Sequence, residues 1–284
     1  MKIGILARID QPQAASLVRS LRAALAARGA QPVLEKRTAD LVGEGGLDEK
    51  ELAESCDIVV ALGGDGTILR ALHRMGAQVP PIFGINLGSL GFLTGVSSED
   101  WRDAVESIAS GDYRLSSRSL LRVELDCGGR VVETFLGLND AVVSRGQHSQ
   151  LIKIEVRVDG EELCVYNADG LIVATPTGST AYSMSAGGPL LLPDSSSFVL
   201  TPICPHVLTS RSAVVPDSAL LELRLVGDAP GVTVNVDGQE IRALGPGNVL
   251  RVSLAAEKLQ LATLPGRTFS EVLREKLKWS GSNV

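Results

Sequence analysis

The chain has 284 residues, 44% hydrophobic and 21% charged, which is long enough for one large domain or two smaller ones and too apolar for a disordered chain. A net charge of −6 and an aromatic content of 4% exclude a general nucleic-acid or anionic-membrane binder and a base-stacking platform. No apolar run reaches the roughly 18 residues of a membrane span.

Met1 to Arg8 is too short and too soon interrupted by charge for a signal peptide, and reads as a first strand. Cys56, Cys127, Cys164 and Cys204 are scattered without metal or redox spacing, and the histidines are equally dispersed. The cysteines are expected to be buried thiols in a reducing cytoplasm.

From the N-terminus to about residue 112, strand and helix signals alternate. Ile3–Leu6 reads as a strand, Pro12–Arg28 as a helix stopped by Gly29, and Pro32–Lys36 as a second strand. Glu49–Cys56 is a helix, Asp57–Leu62 a third strand, Thr67–Met75 a helix ended by Gly76, and Pro81–Ile85 a fourth strand. Ser98–Ala109 closes the region as a helix with Ser97 or Ser98 as its cap. This alternation predicts a parallel sheet covered on both faces, with ligands at the carboxyl ends of its strands.

After Gly111 the period changes to two. Leu121–Leu125 runs toward Gly128-Gly129, Ile154–Val158 toward Asp159-Gly160, and Val232–Val236 toward Asp237-Gly238, with Leu221–Leu225 alike. Asp-Gly between alternating runs is a hairpin signal, so this half is predicted to be antiparallel β. Phe269–Trp279 returns to helical spacing. Neither an internal repeat nor a low-complexity segment stands out.

A Walker-type phosphate loop, a G-x-G-x-x-G fingerprint after the first strand, a G-x-S-x-G elbow and metal-spaced histidines are all absent, which removes the common nucleotide-binding and hydrolase readings. Four segments remain. Gly63-Gly64-Asp65-Gly66-Thr67 joins an apolar strand to a helix, where glycines and a helix N-terminus admit phosphate closely. A carboxylate in such a turn repels phosphate unless a metal or a proton transfer explains it, which makes Asp65 the centre of phosphoryl chemistry. The loop from Gly84 to Leu93, with Gly88 and Gly91, either packs against that turn or is purely structural. Asn139-Asp140, set in an apolar run, is either a bulge or a donor–acceptor pair for sugar hydroxyls. Thr175-Pro176-Thr177-Gly178-Ser179-Thr180-Ala181-Tyr182-Ser183 crowds hydroxyls before a helix expected to begin near Thr180, with Tyr182 offering a flat face to a base.

Together these segments resemble the ATP-NAD kinase family. The resemblance is carried by Gly63 to Thr67, Asn86 to Leu93, Asn139-Asp140, Asp169-Gly170, Thr175 to Ser185 with Gly187-Gly188-Pro189, and Asp237-Gly238-Gln239, in the family's order over most of the chain. The glycine turn is shared with diacylglycerol, sphingosine and 6-phosphofructo-type kinases; the Thr175 segment is far more discriminating.

The resemblance implies a Rossmann-like α/β N-terminal domain over residues 1–112, phosphofructokinase- and diacylglycerol-kinase-like, to which residues 266–284 return. It implies an all-β sandwich over residues 113–265 that binds NAD. The implied reaction phosphorylates the adenosine ribose 2′-hydroxyl of NAD to give NADP, from ATP or polyphosphate, with a divalent cation, Mg²⁺ or Mn²⁺, to which no residue is assigned. By the same resemblance Asp65 is the general base, Gly63, Gly64, Gly66 and Thr67 hold phosphate, and Asp65-Gly66 touches the acceptor ribose. Asn139, Asp140, Asn167, Asp169, Thr177, Thr180, Ala181, Tyr182, Ser183, Met184, Ser185 and Gln239 line the NAD site, with Arg70, Gln150 and Cys204 at positions that contact NAD in some members. A cytoplasmic homodimer or homotetramer is implied, with no nucleic-acid or membrane partner.

Two departures stand out. The family's Asn-Glu pair reads Asn139-Asp140, which shortens the carboxylate's reach by about one methylene. Asn167 occupies a position where relatives carry Arg or a small residue, and an uncharged side chain there leaves the choice between NAD and NADH open. Two other readings compete. A lipid kinase shares the glycine turn but needs an apolar cleft where this chain has hydroxyls. A nucleotide sensor without turnover gains nothing from a carboxylate beside phosphates.

Overall fold

The computed structural model describes residues 1–76, 78–146, 150–207 and 209–279. Of the stretches assigned above to the two domains, residues 77, 147–149, 208 and 280–284 lie outside the described ones. The chain divides into two compact units, Met1–Ser117 with Leu259–Val284, and Arg118–Lys258.

In chain order the first unit holds β1 (Lys2–Ala7), α1 (Ala14–Ala27), β2 (Gln31–Leu34), α2 (Lys36–Val42), α3 (Glu49–Ser55), β3 (Ile58–Leu62), α4 (Asp65–Met75), β4 (Ile82–Asn86), β5 (Val96–Ser97) and α5 (Trp101–Ser110). Parallel pairing runs β2-β1-β3-β4, and β5 adds beyond β4. β3 and β4 are buried at every residue, as continuous apolar strands between two helical layers require. Helix α1 turns Ala14, Leu17, Val18, Leu21 and Leu25 inward at helical spacing, onto a core with Ile3, Ile5, Ile58, Val60, Phe83 and Ile85.

The second unit is a sandwich. β6 (Arg114–Cys127), β7 (Arg130–Gly137), β9 (Ile152–Val158), β10 (Glu161–Ala168), β14 (Leu221–Leu225) and β17 (Asn248–Thr263) belong to one sheet. The other orders β13 (Ala213–Pro216), β12 (Ser197–Ile203), β11 (Gly170–Ala174), β8 (Asp140–Ser144), β15 (Thr233–Val236) and β16 (Gln239–Ala243), all antiparallel. Inward residues of both sheets, such as Val123, Ile154 and Leu223 from one and Val143, Val173 and Leu200 from the other, form a single core. Asp159-Gly160 and Asp237-Gly238 have positive φ at both residues, as two-residue hairpins demand. Beyond Arg118–Lys258 the end of β17 pairs parallel to β4 at Leu261↔Ile82, and α7 (Phe269–Leu277) follows.

Local differences from the sequence reading have simple causes. The second strand stops at Leu34 because the Glu35 carboxylate caps the Arg37 and Thr38 N–H groups and starts α2, which the pattern did not announce. Helix α5 begins after Asp100, since the Ser97 hydroxyl turns the chain by accepting the Glu99 and Asp100 N–H groups. The helix expected near Thr180 is a 3₁₀ turn, Gly178–Thr180, then one α turn, Tyr182–Ser185 (α6). Of the four cysteines only Cys56 is buried; Cys127 and Cys164 pack half-buried against the sandwich core, and Cys204, in the turn that follows β12, is exposed.

Candidate active site

Asp65 is the first residue of α4, and its carboxylate is held by hydrogen bonds rather than free. Oδ2 accepts the Phe92 N–H at 2.8 Å, while Oδ1 accepts the Leu93 and Thr94 N–H groups at 3.0 and 3.2 Å and the Thr94 hydroxyl at 3.3 Å. The loop that supplies these donors is shaped by Asn86. Its amide donates to the Ser89 carbonyl at 2.6 Å and to the Thr94 hydroxyl at 2.8 Å, and its Oδ1 accepts the Gly88 N–H at 2.6 Å. A Cβ on Gly91 would stand 1.9 Å from Asp65 Oδ1, so only glycine lets the loop lie this close. Helix α7 backs the loop: the Phe92 ring lies 6.4 Å from that of Phe269 and 5.6 Å from the Lys276 ammonium. A carboxylate has about four acceptor positions. Three of the four bonds fall on Oδ1, which leaves Oδ2 as the oxygen with a lone pair to spare.

Beside Asp65 lies a cleft of about 380 Å³ bordered by Gly64, Gly66 and Thr67 of the turn and by Arg8, Arg37 and Arg70. The N-terminus of the 11-residue α4 adds its partial positive charge to those guanidiniums, which gives the cleft a positive potential. Burial first, then the neighbouring Arg37 and Arg74, push the Arg70 guanidinium below its usual pKa. Among the described residues no cluster of three or more His, Cys, Asp or Glu side chains is placed to hold a metal ion.

In the second unit, Asp237 organises a separate cluster. Its carboxylate accepts the N–H groups of Leu138 at 2.8 Å, Asn139 at 2.7 Å and Asp140 at 3.1 Å. The Thr175 hydroxyl donates to the Leu138 carbonyl at 2.6 Å, and the Thr175 N–H to the Asn139 carbonyl at 2.9 Å. A Cβ on Gly178 would stand 1.8 Å from that same Asn139 carbonyl oxygen. Thr180 donates to the Thr177 carbonyl at 2.8 Å, and the Ser183 and Thr201 hydroxyls pair at 2.8 Å. The Thr177 hydroxyl is buried without a hydrogen-bond partner. An orphaned buried hydroxyl costs stability unless a ligand satisfies it.

Asp140 is buried, and burial first, then the Asp237 charge, push its carboxyl up to about 7. Because the folded value exceeds the unfolded one, the folded chain holds an extra proton between about pH 4 and pH 7. Stability therefore falls as pH rises through that window and is flat above it. Asp140→Asn is expected to flatten the slope and to raise stability at pH 8 by on the order of 2–4 kcal/mol. Thermal denaturation of both proteins between pH 5 and pH 8 checks this, and parallel pH profiles contradict it.

Two family models cover most of the chain: the ATP-NAD kinase N-terminal domain matches residues 3–113 and the ATP-NAD kinase C-terminal domain residues 138–264. The chain belongs to the ATP-NAD kinase family. It is 39% identical over 278 residues to an NAD kinase of Geobacter metallireducens, covering 98% of each chain. With an NAD kinase of Chlorobium luteolum it shares 40% over 280 residues, covering 98% of this chain and 97% of the other. Its fold is similar to that of yeast NADH kinase solved with NADH, with a TM-score of 0.91, 25% identity, and coverage of 99% of this chain and 89% of that one. It is also similar to an Archaeoglobus fulgidus NAD kinase solved with ATP, with a TM-score of 0.76, 27% identity, and coverage of 96% and 99%.

The residues that the ATP-NAD kinase resemblance singled out fall into distinct groups. Gly63, Gly64, Asp65, Gly66, Thr67 and Arg70 gather in the first unit. In the second, Asn139, Asp140, Thr177 and the Thr180–Ser185 segment meet where Ala174 pairs with Asp140, at one end of β11. Exposed Gln239 follows the Asp237-Gly238 hairpin nearby, and Tyr182 is 47% exposed. Asn167, Asp169 and Cys204 lie at the other end of β11, where Gly170 pairs with Ser144, roughly 13 Å along the strand. There Asp169 pairs with Arg145 at 2.7 Å, and the Asn167 carbonyl accepts the His206 N–H at 3.0 Å. Exposed Gln150 precedes β9, whose Ile152 pairs with Ala168, on that same side.

Sequence reasoning missed Asp237 as an organiser and Arg8 and Arg37 as cleft residues. Asp237 was read as a hairpin residue and as part of the Asp237-Gly238-Gln239 segment, with no role assigned to its carboxylate. Arg8 and Arg37 follow the carboxyl ends of β1 and β2, where the parallel-sheet rule already sends ligands.

Proposed function

We propose that this kinase transfers the terminal phosphoryl group of ATP, or of inorganic polyphosphate, to the adenosine ribose 2′-hydroxyl of NAD to give NADP. The observation that carries this reading is the Asp65 carboxylate, held by four hydrogen bonds with one lone pair of Oδ2 left over, on the residue between Gly64 and Gly66, which border a cationic cleft. Asp65 Oδ2 takes the 2′-hydroxyl proton as the ribose oxygen bonds to the terminal phosphorus. The bond from that phosphorus to the bridging oxygen breaks, and its electron pair leaves with ADP or the shortened polyphosphate. Proton removal accounts for about 10²–10⁴-fold, and alignment and charge stabilisation supply the rest.

The glycine turn and helix α4 receive the donor's phosphates. The hydroxyls of Thr177 to Ser185, with Asn139 and Asp140, receive NAD, and the orphaned Thr177 hydroxyl favours a polar acceptor over an acyl chain. The ATP and NADH bound by the two structural relatives support donor and acceptor of these classes. The side chains fit a divalent cation that arrives on the donor's phosphates better than a resident one, since Mg²⁺ commonly takes one or two carboxylates and the substrate's own oxygens. Such a cation, when bound, neutralises charge on the phosphates.

Assay of NADP and NADPH formation from NAD and NADH, each with ATP or polyphosphate, with and without Mg²⁺, tests the reading. Product from NAD with at least one donor is expected. Affinity for NAD without product from any donor would favour a sensor instead.

A further inference from the structure

The cleft beside Asp65 holds two arginines that none of the roles above uses. We propose that Arg8 and Arg37 grip the phosphate chain of the phosphoryl donor, an inference that rests on the kinase reading above. In the parallel order β2-β1-β3, three neighbouring strands end at one place. β3 delivers the glycine turn, β1 delivers Arg8 one residue past Ala7, and β2 delivers Arg37 at the start of α2.

The backbone that presents Arg37 is pinned. The Glu35 carboxylate, 5% exposed, accepts the Arg37 N–H at 2.9 Å and, from fully buried Thr38, the N–H at 3.0 Å and hydroxyl at 2.8 Å. The Thr38 oxygen in turn accepts the Ala7 N–H at 2.8 Å, which ties α2 to the end of β1. So fixed a backbone sets where the exposed Arg37 side chain departs from the chain, beside the cleft that it lines.

Arg8 rests against Asp10, with Nε and Nη2 donating to its two carboxylate oxygens at 2.8 and 2.9 Å. Both side chains are at least half exposed, so the pair is weak and a phosphate competes for the fork on favourable terms. Three arginines against one aspartate leave the cleft wall with an excess of two positive charges, suited to a linear polyanion. The second unit's cluster, with Asp140 and Asp237 at its centre, has the opposite character.

Calorimetric titration with tripolyphosphate, in the absence of NAD, tests this on the wild type, Arg8→Gln, Arg37→Gln and the double variant. Each single change is expected to weaken tripolyphosphate binding about 10-fold and the double change about 100-fold, as loss of charge-assisted forks predicts. Affinity for NAD stays within about twofold. In turnover, KM for ATP and KM for polyphosphate rise together, and Arg→Lys variants recover part of the loss, which damage to the fold would not allow. A rise for ATP alone with tripolyphosphate binding unmoved, or weakened NAD binding in its place, overturns the assignment. Should the wild type make no NADP, the kinase reading fails, while the tripolyphosphate titration still decides the role of the arginines.

Discussion

Asp65→Asn is expected to reduce NADP formation about 10²–10⁴-fold at saturating substrates while NAD affinity holds within a few-fold. The amide keeps the shape of the carboxylate but cannot accept the hydroxyl proton. It also disturbs the cradle. An amide that keeps its oxygen toward Leu93 and Thr94 turns its NH₂ group toward the Phe92 N–H, so one bond becomes a donor–donor contact. That costs about 1–3 kcal/mol of stability, small enough for a folded protein at working temperature. Steady-state rates beside thermal denaturation separate the two effects. Turnover near that of the wild type would remove Asp65 as the base.

Gly178→Ala is expected to be the most damaging small substitution in the second unit. The added methyl would sit 1.8 Å from the Asn139 carbonyl oxygen, 2.4 Å from its carbon and 2.7 Å from the Asn139 Cα. All three are backbone atoms, so no side-chain rotation relieves the clash. The Asn139 peptide is itself tied to Asp237 and to Thr175, and displacing it strains every bond of that cluster. A loss of about 3–5 kcal/mol follows, with NAD affinity falling at least about 100-fold. Urea unfolding and NAD titration of the variant check both parts; an unchanged midpoint and affinity would mean the contact relaxes freely.

Features governed by local pattern were readable in the sequence, and those governed by long-range hydrogen bonds were not. The buried runs of β3 and β4, the stripe of α1 and the Asp-Gly hairpins follow from apolar period and turn chemistry, and all appear in the structure. Helix α2 was hidden because its cap is a glutamate, a residue outside the usual capping set, acting with Thr38. The glycine turn was readable as a strand-to-helix connection, whereas the engagement of Asp65 by Phe92, Leu93 and Thr94 joins residues 27 to 29 positions apart. The alternatives left open for the loop after β4 close in the same way. That loop packs on Asp65; Asp140 begins β8, and its N–H and that of Asn139 are held by Asp237, about 100 residues away. No local pattern encodes such a partner.

The position of the phosphoryl group on the product tests the central claim most directly. Purified protein incubated with NAD, ATP and Mg²⁺, and analysed by ³¹P NMR and by an NADP-specific dehydrogenase, is expected to give a phosphate monoester on the adenosine ribose 2′-oxygen. A product phosphorylated at any other hydroxyl, or none from NAD with ATP or polyphosphate, would contradict the account.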